Sequence, residues 1–199
     1  LLALPDSRFT AEEVLTWLEQ PALAAKASID ADDLPLLRDW LSSAGVRWGR
    51  DGEHRQQLGL PADAAFTWRQ GLDRLLLGFA APPQLAAGHA PLLGDSWPLD
   101  ALEGARAQLL GRLVAFVERL AALAQSLQRQ RSLSAWADTL QGLIDELFDE
   151  REAGDTLLLL SKACAALREQ ALAAGIERPL ELALIRQQLT AALEQGSGA

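Results

Sequence analysis

At 199 residues, 49% hydrophobic and 23% charged, the chain has the composition of an ordinary globular protein and the length to bury about 70% of the surface its unfolded form would expose. A net charge of −9 argues against nucleic-acid binding by a whole face, because such faces are basic; a local contact stays open. No apolar run reaches the roughly 18 residues of a membrane span. The opening LLALPDSRFT lacks the basic and long apolar regions of a secretory signal.

One cysteine, Cys164, excludes an intrachain disulfide and fits a reducing, cytoplasmic setting. Methionine is absent even at position 1, which reads as a piece of a longer polypeptide. Lys26 and Lys162 are the only lysines among 18 basic residues; with so much Ala and Leu, the arginine bias fits a GC-rich coding sequence and need not be functional.

The pattern is helical throughout. Thr10 and Glu13 have the spacing of a capping box opening AEEVLTWLE, which Pro21 is expected to end. Asp30 is expected to cap a helix carrying Leu34, Leu37 and Leu41 at helical spacing, closed by Gly45. Positions 46–66 lack periodicity and read as loop with short turns. Thr67 and Gln70 look like a second capping box, for a helix ending before Pro82 and Pro83. Residues 81–98, with Pro, Gly and Ser, form the best linker in the chain.

A long helix is expected from about Leu99 to Arg129, with Leu102, Leu109, Leu113, Phe116, Leu120, Leu123 and Leu127 on its apolar face. Ser132 or Ser134 restarts the chain for AWADTLQGLIDELFD. Asp155 is expected to cap the next helix and Gly175 to close it. Pro179 suits the first turn of the last helix, with Leu182, Ile185, Leu189 and Leu193 on one face. Without period-2 alternation or a hairpin signal, the fold class is all-α, a single domain of about seven helices over 1–195. Subdomains at 1–80 and 99–195 are compatible with this, and 196–199 read as a disordered tail. Trp17, Trp40, Phe116, Trp136 and Phe148 fall on apolar faces and read as core.

Several chemistries lack their residues. Neither Lys26 nor Lys162 sits in a Walker A motif, and one Cys with two distant His, His54 and His89, does not make a zinc site. The acidic pairs Glu12/Glu13, Asp32/Asp33 and Asp145/Glu146 belong to helix first turns or solvated faces. Cys164 lies on an apolar helix and reads as a buried small residue. No catalytic residue, metal site or cofactor is expected.

One stretch remains. Five arginines fall between Arg47 and Arg74, after a segment of 46 residues with eight acids and three bases. Arg47, Trp48, Arg50, Arg55, Arg69 and Arg74 are the candidate contacts to DNA or a partner, since arginine beside an aromatic ring can stack on a base or hold phosphate. The plainer alternative has Trp48 plugging the core while Arg69 and Arg74 pair with carboxylates and loop carbonyls. A second cluster, Arg112, Arg119, Arg129 and Arg131, reads as a solvated face.

LLALPDSRFTAEEVLTWLEQPALAAKASID, AGVRWG and TWRQGLDRLLLGFA, followed more loosely by RSLSAWADTLQGLIDELF and RPLELALIRQQLTAALEQ, resemble the gamma subunit of exodeoxyribonuclease V, the RecC family of the bacterial RecBCD complex. The resemblance implies a subunit with the architecture of a superfamily 1 helicase that has lost its ATPase residues. It implies RecB-like and RecD-like partners that supply catalysis, and DNA handled through the complex. The piece resembles the helical insertion, equivalent to a 2B subdomain, of the second helicase-like half. It would act as scaffold and channel wall in a complex that unwinds and degrades double-strand ends and responds to Chi. A cytoplasmic setting with no membrane partner goes with this. No catalytic residue carries over. The alternative is a free-standing all-α protein-interaction or ligand-binding domain, which a large apolar pocket would support.

Overall fold

The computed structural model describes residues 1–80, 105–175 and 178–196. Over these residues the chain is all-α, with nine α-helices and a single isolated antiparallel bridge between Arg131 and Leu180. It divides into two compact units. The N-terminal unit is Asp6–Gln20 with Ala27–Ala121; the C-terminal unit is Leu1–Pro5, Pro21–Lys26 and Ala122–Ala199. The expected linker at 81–98, His89, the start of the long helix near Leu99 with Leu102, and residues 197–199 lie outside the described residues.

In the N-terminal unit, α1 (Ala11–Leu18) begins where the sequence places it. The Glu13 amide donates to Thr10 Oγ1 at 3.1 Å, and Glu13 Oε2 accepts the Thr10 amide at 2.8 Å. Phe9 and Val14, both fully buried, occupy the two positions of a hydrophobic staple. Asp30 heads only a one-turn 3-10 helix, Ala31–Asp33, after which α3 (Leu34–Ala44) runs to Gly45 in the left-handed conformation, φ +77°. Helix α3 packs against α1 and against α5 (Trp68–Ala80). Leu37, Trp40, Leu41, Trp68, Leu72 and Leu75 are buried, as are Leu109, Leu113, Phe116 and Leu120 from α6 (Ala105–Leu127).

Two readings are corrected, the first in the Pro21–Lys26 stretch of the C-terminal unit and the second in the N-terminal unit. Pro21 does not only end a helix: it is the first residue of α2 (Pro21–Ala27), where its missing N–H costs nothing and its fixed φ suits the first turn. Positions 46–66 contain α4 (Gly52–Gln57), a helix too short and polar to show periodicity, capped by Asp51 Oδ1 accepting the His54 amide at 2.8 Å. The box at Thr67 forms by half. The Gln70 amide donates to Thr67 Oγ1 at 3.4 Å, but Gln70 Oε1 accepts from the Phe66 amide, one residue upstream of the cap.

In the C-terminal unit, α7 (Leu133–Leu147) packs along α8 (Glu150–Ala174), and α9 (Leu182–Gly196) packs on α8. Ser132 is the cap, accepting the Ala135 amide. Trp136, Leu140, Leu147, Leu157, Leu167, Ile185 and Leu189 are buried together with Cys164, while Trp17 in the other unit and Phe148 here are only half-buried. Helix α8 starts at Glu150 behind Asp149, earlier than Asp155. Gly154 (φ +44°, ψ −121°) breaks it just before Asp155, so that expectation located the kink and not the start. Pro179 precedes α9 rather than entering its first turn, because Leu180 is tied to Arg131 by reciprocal backbone bonds of 2.7 and 3.3 Å.

Candidate nucleic-acid interface

Backbone hydrogen bonds lace residues 45–50 to the starts of both α1 and α5. Arg47 donates to Phe66 O and its carbonyl accepts from Ala11; Gly49 donates to Arg8 O and accepts from Trp68; Arg50 O accepts from Arg69. Trp68, fully buried, adds its indole N–H to Phe9 O at 2.8 Å. Gly71 lets α5 come this close: a Cβ there would stand 2.1 Å from Val46 Cγ2. The arginine-rich stretch is thus fixed by its own main chain before any side chain acts.

The six expected contact residues fall into three environments. Arg55 is buried, donating through Nη1 to Asp63 O at 2.9 Å and through Nη2 to Trp48 O at 3.2 Å, with its guanidinium 4.1 Å over the Trp48 ring. Half-buried Trp48 therefore covers Arg55. Arg74 donates to Ala44 O at 2.8 Å, satisfying the C-terminal end of α3. These three hold the segment together, as the plainer reading of Arg74 anticipated.

Arg50 and Arg69 line a cleft of about 360 Å³ that also holds Asp51, Asp73 and Glu118. Two cations against three carboxylates do not make an anion site. Arg50 donates to Gln57 Oε1 at 3.2 Å, and burial pulls its guanidinium below the usual arginine range against the opposing charges of Asp51 and Glu53. Its amide donates to His54 Nδ1 at 3.2 Å. Burial, and then the charge of Arg50, push the buried His54 below its ordinary range, so its imidazole is held neutral as an acceptor. Arg69 is exposed, with Asp73 at 3.7 Å one turn away.

Arg47 stands apart. Its side chain is exposed and lies 4.7 Å over the ring of Phe66. Phe66 was not among the expected contacts. It is 48% exposed and sits at φ +62°. The sequence carried a signal for it: Phe66 precedes a helix cap, a position that normally staples to an apolar residue four places into the helix, and here that place is Gly71.

In the C-terminal unit, an apolar pocket of about 190 Å³ is lined by residues including Leu123, Leu140, Ile144, Leu160, Cys164 and Leu189. This is below the roughly 300–1,000 Å³ of small-molecule sites, so it gives the ligand-binding alternative no support. Among the described residues no three His, Cys, Asp or Glu side chains gather to hold a metal ion, and no helix is long and apolar enough to cross a membrane.

The family model described as the fourth domain of RecBCD enzyme subunit RecC matches residues 1–197. The chain is 33% identical over 196 residues to RecBCD enzyme subunit RecC of Escherichia coli, covering 98% of the chain and 17% of that protein. It is 37% identical over 147 residues to the same subunit of Mycobacterium tuberculosis, 74% of the chain and 13% of the protein. With that of Haemophilus influenzae it shares 30% over 195 residues, 98% and 16%. The chain therefore spans less than a fifth of the length of these curated relatives.

Proposed function

The chain belongs to the RecC fourth-domain family, and from that premise we propose that it is a non-catalytic helical domain of a RecC-like subunit. It serves as scaffold and channel wall in an exodeoxyribonuclease V complex with RecB-like and RecD-like subunits in the cytoplasm. The complex unwinds and degrades double-strand DNA ends and responds to Chi. Residues 1–195 act as one domain, in the position of a 2B-like insertion. The observation that carries this reading is the match of one family model across residues 1–197.

On this reading the N-terminal unit faces DNA chiefly through Arg47, one of its exposed cations, while Arg69 shares its charge with Asp73 and plays the lesser part. Trp48, Arg50, Arg55 and Arg74 contribute by fixing the segment that presents them. Such a contact would be local and salt-sensitive, as the net charge of −9 requires.

The test is assembly. The parent subunit is co-expressed with its RecB-like and RecD-like partners, intact and with the segment equivalent to residues 1–197 removed. The intact subunit is expected to copurify with both partners and support ATP-dependent unwinding, and the shortened one to lose one or the other. Full assembly and full unwinding without the segment would overturn the reading.

A further inference from the structure

Phe66 joins a left-handed φ, which buried Phe9 also takes, to a ring that is half-exposed. A left-handed φ of +62° is uncommon for any non-glycine residue and unfavourable for a bulky one. Glycine or asparagine would serve the same turn without exposing an aromatic ring. Yet the conformation is held firmly: the Phe66 carbonyl accepts from both the Arg47 and Trp48 amides, at 2.9 and 3.4 Å, and its amide donates to Gln70 Oε1 at 2.8 Å. The ring rests beside Gly45, where an added Cβ would stand 3.4 Å from Cδ1. It remains half-exposed, with the Arg47 guanidinium over it.

We propose that Phe66 and Arg47 form a preorganised platform on which an unpaired nucleobase stacks, while Arg47 also offers its charge to the adjoining phosphate. This rests on the DNA-facing reading above and narrows it to single strands, read without regard to sequence. The Arg47 guanidinium already covers one face of the ring, and the base stacks on the pair the two side chains form, a contact every base can make. The backbone bonds fix the direction in which the side chain leaves the main chain, and Gly45 and Arg47 flank the ring, so less side-chain order is lost when a base arrives. Duplex DNA keeps its bases stacked on one another and cannot use the platform.

The test compares a fluorescent oligothymidylate with an abasic oligonucleotide of equal length and a duplex. Anisotropy is read with the 199-residue chain at about 50 mM salt and above. The oligothymidylate is expected to bind at least about fivefold tighter than the abasic strand, the low end of what one stacked base contributes. Phe66→Leu, which keeps bulk and removes the aromatic face, should erase that difference, and Phe66→Trp should restore it. If Phe66→Leu leaves the preference intact, the platform is wrong. If Arg47→Ala weakens both strands equally and Phe66→Leu changes neither, the contact is electrostatic only: the platform fails and the DNA-facing reading stands. Absence of binding to any strand overturns the platform, and the assembly experiment still decides the scaffold role. Loss of RecB-like or RecD-like copurification in Phe66→Leu with DNA binding unchanged would make Phe66 a protein contact and overturn it too.

Discussion

The guanidinium of Arg55 lies 4.1 Å over the ring of Trp48 and donates a hydrogen bond to the carbonyl of that same residue. Its other terminal nitrogen reaches Asp63 O. One buried cation therefore holds both sides of the segment between Trp48 and Asp63. Arg55→Ala should lower stability by about 2–3 kcal/mol, through two carbonyls left without partners and a lost cation–π contact. Arg55→Lys should recover little, because an ammonium cannot reproduce the fork. Trp48→Ala should cost about 1–3 kcal/mol, less than a fully buried tryptophan would. Urea midpoints for the three variants check this; an unchanged Arg55→Ala midpoint would show that the segment does not depend on the cation.

Gly71 and Val46 should behave as a coupled pair. The 2.1 Å approach that a Cβ on Gly71 would make to Val46 Cγ2 forces α5 or the Val46 side chain to shift. Gly71→Ala is expected to destabilise by about 1–3 kcal/mol. In a Val46→Ala background the same change should cost much less, and a double-mutant cycle in urea measures the coupling. Additive effects would mean the helix moves away as a unit.

His54 gives the protein a pH dependence of known sign. Its folded-state pKa lies below the unfolded value of about 6.5. Below that value the unfolded chain binds the proton more readily, so this contribution to stability is present above about pH 6.5 and is lost as pH falls towards the folded pKa. His54→Gln should flatten the stability profile in that window relative to the unsubstituted chain. Parallel profiles would remove His54 as the cause.

Cys164 is buried, and its burial pushes the thiol above its ordinary range, outweighing the charge of Arg168. Its modification by a thiol reagent at pH 8 should be slow in the folded protein and rise to the free-cysteine rate in denaturant. A native rate near the free value would mean that α8 opens readily.

Much of this fold was legible where one residue settles the local geometry. Thr10 and Glu13 complete a box from their own side chains, and Gly45 and Gly175 take the left-handed turn at their helix ends. The failures share a different cause. Pro21 can follow one helix or begin another, and only the six residues after it, Ala22–Ala27, decide. Helix α4 is held by Asp51 and by the burial of His54 and Arg55, neither of which has a period. At the interface, the sequence showed that arginines and tryptophans gather between Arg47 and Arg74. It could not sort them, because the groups that claim Arg55 and Arg74 are the carbonyls of Trp48, Asp63 and Ala44, and every residue has a carbonyl.

The bridge between Arg131 and Leu180 has a meaning for hydrogen exchange. It joins the turn before α7 to the stretch before α9, and the Trp136 indole seals it by donating to Leu180 O at 2.9 Å. Neither amide can meet solvent deuterons unless that clasp parts. Corrected for their intrinsic rates, the two should therefore show one shared opening free energy, which reports the undocking of the last helix.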